Sequence, residues 1–391
     1  MSSNKRNVVV LGATGSIGRS AAAELEEHAD RFQVVALAAG SNVPALAALA
    51  EKFHPRLVAV AEPGAARELD AALPSGVRGA CGAEALIEAA TLPEADIVLC
   101  AIVGIAGVEP VIAALRAGKR VALASKEVLV MAGELVMAEA RRSPGGGIVP
   151  VDSEHSGLFQ CLAGRAPDEI ARLWLTASGG PFREWSAERI AGATAADALR
   201  HPTWSMGRKV TIDSASMMNK ALELIEAHHL FGVPGDRLDV VINPQSTVHA
   251  LVELVDSSFI AQLSSPDMRL AIRYALSYPE RLGGGTAARL DLGALKHLDF
   301  EIPDRRRFPS LDFAREAMAH GGTLPAVMNA ANDVAVDRFC AGEIGFAEIW
   351  EIVGAAMARF PAQIHPSLAE LRTADRSARD FAAAWRPRRS G

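Results

Sequence analysis

The sequence predicts an α/β protein of three regions: a mostly parallel, doubly wound sheet, a second α/β block and a helical C-terminal part. Three observations carry this. Residues 7–150 alternate short apolar runs with Ala-rich amphipathic stretches, the rhythm of βα units covered on both faces. A second group of strand-like runs lies between residues 173 and 263, with most of the polar motifs around it. From about Leu311 the pattern is helical. At 391 residues the chain has the length of two or three domains, each able to bury a core.

The first strand is Val8-Val9-Val10-Leu11, a continuous apolar run. A glycine turn and a helix follow, then strands over 32–38, 57–60, 97–102 and 120–124. Pro144-Gly145-Gly146-Gly147 punctuates the chain and closes a first domain at 1–150. The second domain, 151–280, takes strands at 173–177, 238–242, 247–254 and 259–263. A Gly/Pro-rich passage beginning at Tyr278 sets a linker over 281–304, and 305–391 forms the helical domain. Residues 386–391 read as a frayed basic tail.

Lys plus Arg is 40 against 46 for Asp plus Glu, a net charge of −6, which argues against nucleic-acid binding. No apolar run reaches the roughly 18 residues of a membrane helix; the longest, 97–108, contains Gly104 and Gly107. The N-terminus lacks the apolar segment of a secretory signal. Cys81, Cys100, Cys161 and Cys340 are far apart and form no CxxC, so a cytoplasmic protein without disulfide or zinc is expected.

The turn after the first strand is Gly12-Ala13-Thr14-Gly15-Ser16-Ile17-Gly18. Such glycines let the backbone approach a pyrophosphate, which the next helix meets with its free N–H groups. The second strand runs into Gly40-Ser41-Asn42 with no acid to bind a ribose hydroxyl, which favours NADP over NAD. Ser125-Lys126-Glu127 follows a strand at the edge where ligands bind; Lys126 there can polarise a substrate oxygen, and Ser125 reads as a helix N-cap.

Asp152-Ser153-Glu154-His155 places two acids at i and i+2. If that stretch is extended they share one face and suit a hard cation, with His155 on the other face. A solvated strand edge explains the pair equally well. Ser178-Gly179-Gly180 reads as one end of a lid, with Ser178 able to donate to a phosphate, although a plain surface turn is the commoner reading of such a run. His201-Pro-Thr-Trp204-Ser-Met206-Gly207 reads as the lid itself, an irregular run suited to closing over a cofactor. A helix is expected from Ser214, as N-cap, to Phe231, stopped by Gly232. On it Asn219, Lys220 and Glu223 lie near one face, able to hold a phosphate and supply a third metal carboxylate.

These segments, with Ile242-Asn-Pro-Gln-Ser-Thr-Val-His249, Ser265-Pro-Asp-Met268 and Met328-Asn-Ala-Ala-Asn-Asp-Val-Ala-Val336, resemble the 1-deoxy-D-xylulose 5-phosphate reductoisomerase family from end to end. The resemblance implies rearrangement and reduction of that sugar phosphate to 2-C-methyl-D-erythritol 4-phosphate in non-mevalonate isoprenoid biosynthesis. It implies a homodimer, NADPH and a divalent metal, Mn²⁺ or Mg²⁺ with Co²⁺ as a third choice. It implies Asp152, Glu154 and Glu223 as metal ligands. Lys126, Ser153 and Glu154 stand near the substrate oxygens, and Ser178, Ser214, Asn219 and Lys220 at the phosphate. His201 and Trp204 are lid residues that meet substrate. Thr14, Gly15, Ser16, Ile17, Gly40, Ser41, Asn42, Ser125, Glu127, Met206 and Gly207 are cofactor contacts. Ser125, Ser257 and Asp333 stand where the family commonly has Asn, Gly and Glu. Two rival readings remain at this point: a metal-free NADP-dependent dehydrogenase of two domains, and a non-enzymatic NADPH sensor.

Overall fold

The structure, a computed structural model, describes residues 5–204 and 206–386; the basic tail expected beyond Arg386 lies outside the described residues. The chain forms two compact units, each discontinuous in sequence.

The first unit comprises Met1–Val128, Val136–Phe159 and Asp267–Ala288. Its sheet contains β1 (Arg6–Leu11), β2 (Phe32–Ala39), β3 (Leu57–Val60), β4 (Arg78–Cys81), β5 (Ile97–Cys100), β6 (Arg120–Leu123) and β7 (Ile148–Pro150). All are parallel, in the order β4-β3-β2-β1-β5-β6-β7. The doubly wound expectation holds. Strand order reverses at β1, between β2 and β5, so the crevice beyond their carboxyl ends is the ligand position of this architecture. β4 and β7 escape a search for apolar runs: β4 reads Arg-Gly-Ala-Cys and β7 has three residues.

The segment 267–288 opens with the helix Met268–Ser277, which buries Ile272, Ala275 and Leu276 in this unit's core. A buried ion pair joins its Arg273 to Glu24 at 2.7 Å, and Arg6 on β1 donates to the carbonyls of Leu276, Ser277 and Tyr278. The Gly/Pro-rich stretch that reads as the start of a linker is thus tied down at its beginning.

The second unit comprises Leu129–Leu135, Gln160–Pro266 and Arg289–Gly391. Its sheet has β8 (Ile170–Ala177), β9 (Leu238–Ile242), β10 (Val248–Leu254) and β11 (Phe259–Leu263), in the order β11-β10-β8-β9. Only β8 and β9 run parallel. The helix Met218–Phe231 packs on β8 and β9. The C-terminal helices Ser310–His320, Leu324–Cys340, Phe346–Arg359 and Leu368–Ala384 complete this unit. Phe346 is fully buried and meets Phe182, Trp350 and Phe339 edge-on at 5.0, 5.2 and 5.3 Å, a cluster that adds stability beyond its buried area.

Two local expectations are corrected. Residues around Asp152–His155 are not extended: a helix runs from Ser153 to Leu162, with Asp152 just before it and its carbonyl accepting from Ser156 N–H at 2.8 Å. An acid there is favourable to the helix dipole. The expected helix 214–231 is two helices, Arg208–Ala215 and Met218–Phe231, broken at Met217 (φ +60°). The carbonyl of Ser216 is occupied instead by the Ser310 hydroxyl (2.8 Å) and the Trp350 indole N–H (3.3 Å), so tertiary bonds replace helical ones. Ser214 lies near the end of the first helix and is not an N-cap. The stop at Gly232 holds, with that residue left-handed.

Candidate active site

In the first unit the turn after β1 is built on glycine. Gly12 has φ +87°, and a Cβ there would stand 2.4 Å from the Ala101 carbonyl oxygen at the end of β5. A Cβ on Gly18 would stand 2.3 Å from the Gly12 carbonyl oxygen, so the helix Ser16–Glu27 rests directly on the turn. Thr14, Gly15, Ser16 and Ile17 therefore sit at the switch point, with the helix N-terminus open to an anion. Gly40, Ser41 and Asn42 follow β2, where a Cβ on Gly40 would meet nothing; Asn42 accepts the Ala45 N–H at 3.1 Å and caps the next helix. The expected neutral edge after β2 is present.

At the end of β6, Ser125 occupies the N-cap position of the helix Lys126–Arg142, but its hydroxyl donates to the Ile102 carbonyl at 2.5 Å and does not cap the helix. Glu127 is buried beside it. Lys126 Nζ meets Asp152 Oδ2 at 2.5 Å, both side chains nearly buried. Burial pushes the Asp152 carboxyl up, but the Lys126 ammonium and His155 outweigh it, so the group is held well below the usual carboxylate range. Ser153 donates to Glu154 Oε2 at 2.6 Å. This unit thus presents two acids and an ammonium from consecutive strand ends.

In the second unit, β8 ends in Ser178-Gly179-Gly180. Gly180 (φ +65°) allows the chain to pass the Ser214 carbonyl, which a Cβ would approach to 2.7 Å. His201 Nε2 lies 3.1 Å from the hydroxyls of both Ser178 and Ser214. Its Nδ1 accepts the N–H of Thr203 (3.2 Å) and of Trp204 (2.9 Å), so the proton resides on Nε2. Burial lowers the imidazole's pKa and favours this neutral form. Both serine hydroxyls then keep their own protons for a further acceptor. On the next helix, Asn219 Nδ2 and Lys220 Nζ donate to the two oxygens of Glu223, and Lys220 and Glu223 are buried. Gly207 is the N-cap residue of the helix Arg208–Ala215, with Met206 before it.

The sequence reading gives no individual role to Lys209 and Asp213, at i and i+4 on the first of these helices, or to Asn332 on Leu324–Cys340, although Asp213 accepts from Asn332 and pairs with Lys209. The i, i+4 spacing of the first two was the available signal.

A glycine turn at the switch point of a parallel sheet accounts for one substrate, a dinucleotide. Hydroxyls, an amide and an ammonium beside a buried acid are donors able to hold another, small and anionic. The class so defined is a nucleotide-dependent oxidoreductase acting on a small anionic substrate. Family models described as 1-deoxy-D-xylulose 5-phosphate reductoisomerase match residues 8–133, and its C-terminal domain models match 148–231 and 263–381. The reductoisomerase of Symbiobacterium thermophilum is 53% identical over 383 residues, covering 97% of this chain and 98% of the relative. That of Rhodospirillum centenum is 49% identical over 379 residues, covering 97% and 94%. The solved Zymomonas mobilis enzyme in complex with NADPH is 44% identical with a TM-score of 0.91, covering 97% of this chain and 99% of that one. A DOX-P reductoisomerase solved with NADPH, fosmidomycin and magnesium is 42% identical, also at 0.91, covering 97% and 98%. The chain belongs to the 1-deoxy-D-xylulose 5-phosphate reductoisomerase family.

Proposed function

We propose that the chain converts 1-deoxy-D-xylulose 5-phosphate to 2-C-methyl-D-erythritol 4-phosphate in non-mevalonate isoprenoid biosynthesis, using NADPH and a divalent cation, Mn²⁺ or Mg²⁺ with Co²⁺ as a third choice. The observation that carries the reading is the anion cradle of the second unit, His201 poised between two serine hydroxyls. Family membership sets aside the metal-free dehydrogenase and the non-enzymatic sensor.

The residues fit both groups that the reaction requires. Gly12 and Gly18 leave no room for side chains beneath the turn, as a pyrophosphate at a helix N-terminus needs. The absence of an acid among Gly40, Ser41 and Asn42 spares a 2′-phosphate from repulsion. Ser125, Glu127, Met206 and Gly207 are the remaining cofactor contacts. Asp152, Glu154 and Glu223 offer only carboxylate oxygens, the donors a hard cation takes. When bound, the cation polarises the ketone and its neighbouring hydroxyl as a Lewis acid, and NADPH supplies the hydride.

The chain's own groups do the rest. Ser178, Ser214, Asn219 and Lys220 grip the phosphate, fixing the reacting end by its remote end. His201 donates from Nε2 and keeps the serine hydroxyls turned outward. The Lys126 ammonium, anchored on Asp152, stabilises charge developing on a substrate oxygen, and Ser153 and Glu154 stand ready to exchange protons there. Trp204 and Met206 close the lid and exclude water from the hydride step.

A second copy of the chain is the proposed partner. β11 is an edge strand, and Val255, Phe259 and Leu263 on and beside it are 65%, 53% and 36% exposed, the kind of edge that sheet proteins cover. The four cysteines are free, which favours a cytoplasmic location. No helix among the described residues is long and apolar enough to cross a membrane.

Product analysis by mass spectrometry and NMR tests the reading. The expected product is the branched tetrol phosphate, with one NADPH consumed per molecule. A reduced but unrearranged sugar phosphate would overturn it.

A further inference from the structure

The phosphate subsite is held by two helices of different character. Asn219 and Lys220 stand on the 14-residue helix Met218–Phe231, which packs on the sheet. Ser214 stands on the eight-residue helix Arg208–Ala215. That helix is too short to be stable alone, and its first turn carries two cations, Arg208 and Lys209, at the end where the helix dipole opposes them. Something outside the helix must fix it.

The fixing groups form one alternating chain of charge. Asp213, the neighbour of Ser214, is 1% exposed. Its Oδ1 accepts from Asn332 Nδ2 at 2.8 Å, and its Oδ2 pairs with Lys209 Nζ at 2.7 Å. Lys209 also meets Asp333 Oδ1 at 3.1 Å. Asp333 Oδ2 receives Arg379 at 2.7 Å, and Arg379 bonds Asp375 on its own helix at 3.0 Å. Arg208 and Asp337 pair at 3.6 Å but are 64% and 74% exposed, so that contact holds little. The Asp213 pairing is different, because removing a partner from a buried charge is costly.

We propose that Lys209, Asp213, Asn332 and Asp333 are positioning residues that set the place of Ser214, so that the grip on the substrate's phosphate is fixed from the C-terminal helices. This deepens the function proposed above and rests on it. The lever is short. Ser214 is bonded to Asp213, its carbonyl is the point over which Gly180 passes, and its hydroxyl meets His201 at 3.1 Å, where a displacement of a few tenths of an ångström weakens the hydrogen bond. Lys220 and Glu223 lie beyond the left-handed Met217, on the helix that the sheet supports.

The test uses the full-length enzyme and Asp333→Ala, chosen because Asp333 links Lys209 to Arg379 in the chain of charge and is less buried than Asp213. The KM for 1-deoxy-D-xylulose 5-phosphate and the competitive inhibition constant of inorganic phosphate are expected to rise about tenfold, the effect of one weakened charge-assisted contact. The NADPH KM and kcat stay near their starting values. Asp333→Glu, which keeps the charge, restores both phosphate readouts. Unchanged readouts in folded Asp333→Ala would overturn the proposal. So would a parallel loss of kcat and NADPH affinity, which marks general destabilisation. If Asp333→Ala does not fold, Arg379→Met, which strips Asp333 of its outer partner, is judged by the same two criteria. Ser214→Ala separates the levels. If it raises the phosphate constant while Asp333→Ala does not, the network alone fails; if neither does, the phosphate reading itself fails.

Discussion

Lys220 donates its ammonium to the Glu223 carboxylate one helical turn away, and the two side chains are 5% and 2% exposed. A cation assigned to the substrate's phosphate is thereby bonded to an acid assigned to the metal. One residue of each proposed subsite thus lies on the same face of the helix Met218–Phe231.

Lys220→Ala removes one charge-assisted contact to the phosphate, worth roughly 1.5–3 kcal/mol, or about 10- to 150-fold in affinity. The expected outcome is a higher KM for the sugar phosphate with a smaller change in kcat. Steady-state kinetics at saturating NADPH check it, and an unchanged KM would place the phosphate elsewhere.

Glu223→Gln keeps the shape but removes the charge, and its amide oxygen can accept from only one of the two donors, Asn219 and Lys220. Turnover should fall to the level of chelated enzyme, while fluorescence titration gives NADPH affinity close to wild type, because Glu223 is not among the proposed cofactor contacts. Near-normal turnover at ordinary Mn²⁺ would remove Glu223 from the metal site.

Much of this site is legible in the sequence because each piece is local: a glycine turn, an acid pair, a Ser-Gly-Gly strand end, Asn219, Lys220 and Glu223 on one helix turn. The failures have a common physical cause. The break at Met217 depends on Ser310 and Trp350, which bond the Ser216 carbonyl from about a hundred residues away. The helix at Ser153 replaces a strand because β7 ends at Pro150, within a run that reads equally well as extended. No left-to-right reading assigns Asp267–Ala288 to the first unit, since the Arg273–Glu24 pair spans 249 positions.

Acid should destabilise the second unit through His229. Its imidazole lies against Gly133, where a Cβ would fall 2.2 Å from the ring. Burial, then the neighbouring His228, lowers its pKa to about 4. As pH falls below about 6.5 the unfolded chain takes up a proton that the folded state refuses until about pH 4. Stability is full above this window and declines through it, by no more than about 3 kcal/mol. Urea midpoints between pH 7 and pH 4 should fall more steeply for the wild type than for His229→Asn. Equal slopes would refute the assignment.

Ser257 carries φ +68° in the turn between β10 and β11. Its left-handed backbone explains why glycine suits this position. Ser257→Gly should stabilise the protein by about 1 kcal/mol or less, since relief of strain is partly offset by the freer unfolded chain. Thermal melting checks the sign, and a lowered midpoint would contradict it.

The most direct measurement is NADPH oxidation, followed by absorbance, with chelated protein and 1-deoxy-D-xylulose 5-phosphate, with and without added Mn²⁺. Oxidation is expected only when substrate and metal are both present. Oxidation that proceeds undiminished without metal, or none at all from folded protein that binds NADPH, would contradict the account.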